Sequence, residues 1–158
     1  MNKFFFLFLF FILGKLNVAE AQSSKHSQYN TAIGFKFYPG GVTFKQALNK
    51  SKCLEVNGYF WKGIRITGLY ELHYDIAGVD GLRWYVGPGL HTSMYSPDIN
   101  ENYAGRNYIG IDGVLGLDYK IPSVPLNLSL DWQPSIEFGT SPGFVGGYGG
   151  LSVRYVIL

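Results

Sequence analysis

Cysteine is almost missing from this chain. Cys53 is the only one, so no internal disulfide can form. Charge is scarce as well. Charged residues make up 15% of the sequence, against about 25% in soluble globular domains. The charges nearly cancel, at a formal +2, which excludes the basic field that attracts nucleic acid. Past residue 13, no apolar stretch approaches the roughly 20 residues that a membrane-spanning helix needs. No segment carries a convincing helical period. Phosphate-binding loops are missing too. Residues 146–150 read Gly-Gly-Tyr-Gly-Gly, but they lead into a strand pattern and lack the Lys-Ser/Thr pair. Cys53, Glu71 and His73 do not have metal-ligand spacing, and no cofactor or metal is expected. Asn127-Leu128-Ser129 fits a glycosylation triplet but falls inside a strand pattern.

What is present is alternation. Between 126 and 138 the even positions are Leu126, Leu128, Leu130, Trp132, Pro134, Ile136 and Phe138. The odd positions are Asn127, Ser129, Asp131, Gln133, Ser135 and Glu137. Side chains on a strand alternate faces with period two, so this is one strand with an oily face and a wet face. Its 13 residues, at roughly 3.3 Å each, exceed ~40 Å. Ordinary strands have about 5–6 residues. A long alternating strand suits a tilted membrane crossing between lipid and a polar lumen.

The first 21 residues read as a leader. Lys3 gives a basic start, residues 4–13 form an apolar core, and Ala19-Glu20-Ala21 is an A-x-A cleavage site, the pattern of a secretory signal peptide. The residue after the cut is Gln22, so anchoring through an N-terminal lipidated cysteine is not expected. Removing these 21 from 158 residues leaves 137, enough for one domain. Residues 22–27 read as a loose polar tail.

The same alternation predicts eight strands, over 28–38, 42–48, 53–61, 64–74, 82–91, 107–119, 126–138 and 147–158. Pro88 lacks an amide donor and predicts a bulge or kink. The fold class expected is all-β, an eight-stranded antiparallel up-and-down transmembrane β-barrel over residues 28–158. An even strand number puts both chain ends on one side, the periplasmic one. Loops 39–41, 62–63, 92–106 and 139–146 then fall outside the cell.

With apolar faces toward lipid, Leu126, Leu128, Leu130, Trp132, Ile136, Leu151, Val153 and Tyr155 form the outer surface. The lumen then holds a charge network of Lys36, Arg65, Glu71, Arg83, Asp112, Asp118, Asp131, Glu137 and Arg154. At eight strands the interior is just wide enough for side chains to fill it, so a hydrogen-bonded plug is expected rather than a pore. Glycines 87, 89, 110, 116 and 150 fall on the inner face and leave room for neighbouring large side chains. Trp61, Tyr74, Trp84 and Tyr119 lie toward strand ends, as interfacial aromatic belts do.

Catalysis is not expected. The weak alternative is His91 and Ser93, which share a face, with Glu101 as the carboxylate. A His-x-Ser pair on a membrane barrel resembles the lipid A deacylases, in which such a pair works as a nucleophile system. Here Met94-Tyr95 follows, where that family has a small polar run. Two further alternatives are a narrow channel and a soluble lipocalin-like carrier with its apolar face turned inward.

Residues 81–91 (Gly-Leu-Arg-Trp-Tyr-Val-Gly-Pro-Gly-Leu-His), 109–119 (Ile-Gly-Ile-Asp-Gly-Val-Leu-Gly-Leu-Asp-Tyr) and 121–133 (IPSVPLNLSLDWQ) resemble segments of small outer-membrane β-barrel proteins of Bacteroidetes. The similarity covers nearly the whole mature chain, and the DWQP element is its most specific piece. The resemblance implies a cell outer membrane location and a porin-like barrel, not a reaction. It also implies outer-membrane lipid as the surroundings, a monomer, and a surface partner reached through loop 92–106. One departure is the C-terminus, Tyr155-Val156-Ile157-Leu158, where such barrels end on an aromatic.

Overall fold

The computed structural model describes residues 30–61, 63–95, 107–139 and 142–157. The leader, the tail, Glu101, most of the 92–106 loop and Leu158 lie outside the described residues. Eight strands follow in chain order: β1 Thr31–Lys36, β2 Gly41–Ala47, β3 Lys52–Tyr59, β4 Gly63–Asp75, β5 Leu82–Tyr95, β6 Asn107–Lys120, β7 Leu126–Phe138 and β8 Gly143–Ile157. Each pairs antiparallel with the next. The sheet closes where β1 pairs β8, from Thr31↔Ile157 to Lys36↔Ser152. This is an all-β up-and-down barrel. Closure joins the first and last strands, with β1 covering Ser152–Ile157 of β8.

One end of the barrel carries the connections 37–40, 60–62, 96–106 and 139–142, and is called the loop end below. The other carries the turns 48–51, 76–81 and 121–125 and both ends of the paired chain, and is called the terminal end.

The faces follow the alternation. Leu130 is 57% exposed and its neighbour Asp131 is 7% exposed. Trp132, Ile136, Leu151 and Tyr155 are exposed on the outside, while Leu126, Leu128 and Val153 are half-buried there. All nine residues assigned above to the lumen network are buried. The centre is therefore polar. Its apolar parts are two small groups, Ala32 with Val156 and Leu69 with Tyr85 and Val114. An apolar cavity of the lipocalin kind is not what the described residues build.

Four local readings change. β5 continues past His91 to Tyr95, paired through Met94↔Asn107. β8 begins at Gly143, inside the stretch read as a loop, and pairs Glu137↔Gly143 and Ile136↔Phe144. Glycine has no side chain to show alternation, so a strand held by its partner's ladder gives no pattern of its own. Tyr38, which strict alternation over 28–38 would put on the face of Lys36, is 63% exposed because β1 stops at Lys36 and a turn follows. Finally, Pro88 carries no bulge. Pairing lapses beside it, but Leu69↔Gly89 and Leu72↔Val86 keep one register. The register shift lies instead between Gln133 and Ser135, around Pro134, a residue with no N–H to give to a ladder.

Candidate functional site: the charged lumen

Two clusters of ionised side chains fill the interior, and β7 contributes to both. At the loop end the hub is Arg65 on β4. Its guanidinium donates to Asp112 Oδ1 on β6, to Glu137 Oε1 at 3.3 Å and to Ser135 Oγ at 3.0 Å, both on β7, and to Thr67 Oγ1 at 3.3 Å. The same plane lies over the Tyr148 ring, 3.9 Å from its centroid. A planar fork suits this task, since several acceptors can be met along fixed directions. Tyr95 donates its hydroxyl to Glu137 Oε1 at 2.8 Å.

His91 belongs to the same cluster. Its Nδ1 lies 2.8 Å from Asp112 Oδ2 and 3.1 Å from Arg65 Nη2. One nitrogen cannot donate and accept at once. We assign the proton to Nδ1, because the shorter bond to a carboxylate is the charge-assisted one. Nε2 then faces Glu137 Oε1 at 3.5 Å.

Toward the terminal end, Glu55 on β3 joins three cations. It accepts from Arg154 Nη2 at 2.8 Å, and pairs with Lys45 Nζ at 2.8 Å and Lys36 Nζ at 3.6 Å. Arg154 also donates to Thr43 Oγ1, Asn127 Oδ1 and Ser129 Oγ, at 3.0, 3.1 and 2.7 Å. Lys45 reaches on to Glu71 Oε2 at 2.9 Å and Asp118 Oδ1 at 3.6 Å, and Arg83 holds Asp118 Oδ2 at 3.3 Å. Lys36 donates to Asp131 Oδ2 at 2.8 Å, and so does the Tyr85 hydroxyl at 2.8 Å. Several of these contacts cross the axis. Arg154–Glu55 joins β8 to β3, and the Tyr59 hydroxyl donates to Gln133 Oε1 on β7 at 2.7 Å. In a ring of eight, β3 and β7 stand opposite each other.

Glycines make the fit. A Cβ on Gly116 would come within 2.6 Å of Tyr85 Cζ and 2.7 Å of Asp131 Cβ. The Tyr85 ring occupies the space that a side chain there would take. Gly110 does the same for the His91 ring.

The structure thus joins all nine lumen residues read from the sequence into the two clusters, and adds Lys45 and Glu55, which that reading missed. Their signal was present: Thr43 and Lys45 alternate with Val42 and Phe44, and Glu55 alternates with Leu54 and Val56. Among the described residues the lumen therefore buries five Lys or Arg and six Asp or Glu. His91 and Ser93 both face inward and are buried, but the carboxylate on His91 is Asp112. The Ser93 hydroxyl has no hydrogen-bond partner among the described residues, so nothing there holds it against the imidazole as a base. Spacing alone missed one juxtaposition. Cys53, Glu71 and His73 offer three ligand atoms within 4.8 Å of one another, because Cys53 and Glu71 are direct partners across β3 and β4. Comparison of the chain with protein-family models, with curated protein sequences and with solved structures finds no match.

Proposed function

We propose that this chain is a small outer-membrane β-barrel protein with a plugged lumen. Its role is structural or surface-interacting, carried by the loop end and above all by residues 92–106, and it is monomeric and does no catalysis. The observation that carries this reading is the inverted polarity of the barrel. Leu130, Ile109, Leu90 and Phe144 are each more than half exposed, while every lumen charge named above is buried. In water such an outer surface would be an apolar patch far larger than soluble monomers tolerate. Against acyl chains it is the expected one. Strands β4–β8, of 13 to 15 residues, exceed the roughly 9–11 that a tilted crossing needs.

Two aromatic details support the same reading. Tyr74 and Trp84 stack at 4.5 Å between centroids near the terminal end, and Phe60 and Trp61 are exposed at the loop end. Trp132, midway along β7, donates its indole N–H to the Gly146 carbonyl at 3.0 Å, so it needs no water. The resemblance to small Bacteroidetes barrels adds the address, after export through a leader cut following Ala21.

Cell fractionation combined with a heat-modifiability gel tests location and closure together. The expected result is recovery in the outer-membrane fraction, with the unheated band migrating apart from the heated one. A protein that stays soluble and monomeric without detergent overturns the reading. Comparing lipid A acyl content between wild type and His91→Ala tests the rival enzymatic role, and a difference would establish it.

A further inference from the structure

The terminal half of the lumen holds three metal-ligating side chains that the ion-pair network does not use up. Cys53 is the chain's one thiol and is buried. His73 and Glu71 lie two residues apart on β4 and face it from the neighbouring strand. One ligand atom from each of the three lies within 4.8 Å of the other two. Glu71 Oε2 is engaged by Lys45 Nζ at 2.9 Å and by His73 Nε2 at 2.8 Å. Glu71 Oε1 and His73 Nδ1 are both buried without a hydrogen-bond partner among the described residues. Buried polar atoms without partners carry a desolvation penalty. Here two of them occur beside a thiol, on side chains that show no exposed surface.

We infer that Cys53, Glu71 and His73 form a binding site for a borderline divalent cation of the zinc class. A thiolate, an imidazole and a carboxylate are the donor types that Zn²⁺ accepts, with one position left for water. Hard cations such as Mg²⁺ and Ca²⁺ prefer all-oxygen shells. Ligands at ~2.0–2.3 Å from a tetrahedral ion stand roughly 3.3–3.8 Å apart. Closing a 4.8 Å set therefore takes about 1 Å of side-chain movement. The His73 ring is positioned for this by stacking on Tyr85, at 4.9 Å and 13°, and its strand is tied at the rim by the His73 N–H bond to the Ser51 carbonyl.

As the metal–sulfur bond forms, the Cys53 thiol gives its proton to solvent and the ion gives up waters. The dication, one thiolate and one carboxylate then cancel among themselves, and the terminal cluster as a whole gains one positive charge, since Glu71 already serves Lys45. Lys45 keeps Glu55 at 2.8 Å and Asp118 at 3.6 Å as its counter-charges. The site lies near the terminal rim, beside the turns 48–51 and 76–81, which gives the ion a short way in. The inference concerns the interior alone, so it stands or falls separately from the membrane reading.

The test is a Co²⁺ titration of the metal-stripped, folded barrel, with heat-modifiable migration as the check on folding. Wild type should bind one equivalent with a thiolate-to-cobalt absorption band, and Zn²⁺ should displace it. Cys53→Ser should lose the band, and His73→Gln should bind at least about tenfold more weakly. His91→Gln, at the other histidine of the lumen, should bind as wild type does. Should Cys53→Ser fail to fold, His73→Gln and a zinc-induced rise in the wild-type unfolding midpoint carry the same test. A wild type without a cobalt band, or a His73→Gln variant binding as tightly as wild type, overturns the site.

Discussion

The loop-end and terminal-end clusters solve one problem in two ways. Both must hold ionised groups in an enclosed space, where an unpaired charge is very costly. At the loop end, among the described residues, one cation, Arg65, serves two carboxylates, Asp112 and Glu137. The anionic surplus lies against His91, with a ring nitrogen toward each of them. At the terminal end Lys36, Lys45, Arg83 and Arg154 meet Glu55, Glu71, Asp118 and Asp131, four against four. There the compact ammonium of Lys45 is shared among several carboxylates, which a point charge on a flexible stem does well. The difference teaches that the terminal half is held by charge balance, and the loop half by the geometry of one guanidinium.

Breaking that balance should have the largest effect. Glu55→Gln strips the anion that three cations share, and should destabilise the barrel by about 3–5 kcal/mol, read as a shifted denaturant midpoint on a heat-modifiability gel. A change below about 1 kcal/mol would show that the four-against-four arrangement is incidental. Next comes Arg65→Lys, which keeps the charge but removes the fork. It should cost about 1.5–3 kcal/mol by the same measurement, because Asp112, Glu137 and Ser135 cannot all be reached from one ammonium. Full retention of stability would remove the distinction between the two clusters.

Gly116→Ala tests packing in the terminal half. The new Cβ would press on Tyr85 and on the Leu130 carbonyl at 2.8 Å, for an overpacking penalty of about 1–3 kcal/mol. Thermal unfolding followed by circular dichroism would read it. The smallest effect belongs to Glu137→Gln. It removes one charge from the anionic side of the loop-end cluster, while its amide oxygen still accepts from Tyr95 and Arg65. The expected loss is about 1 kcal/mol or less. A loss as large as that of Glu55→Gln would show the two ends to be equivalent.

Much of this was legible in the chain. The run from Leu126 to Phe138 gave β7 its bounds and both faces without correction, because polar and apolar residues alternate there without a break. Arg65, Asp112 and Arg154 were placed inside by the same rule. Lys45 and Glu55 obey it too, but they sit on β2 and β3, short strands of 7 and 8 residues whose weaker apolar rows drew the reading to other residues. The start of β8 at Gly143 was read as loop, since Gly143, Gly146 and Gly147 have no side chains to show a period. The partner of His91 was equally hidden. Glu101 was the carboxylate chosen from the loop that follows, yet Asp112 reaches the ring because register sets Gly110 opposite His91, two residues away along β6 on the same face.

By itself, then, the sequence determined the number of strands and the sign of each face. Both follow from a period of two, a property of the local backbone that needs no knowledge of neighbours. Only the tertiary structure decided who meets whom: Glu55 with Arg154 across the axis, Cys53 with Glu71 and His73, and Tyr85 in the space left by Gly116. Those meetings depend on register and on closure of the ring, which are set by pairing between distant stretches of chain and leave no mark on the spacing of the residues involved.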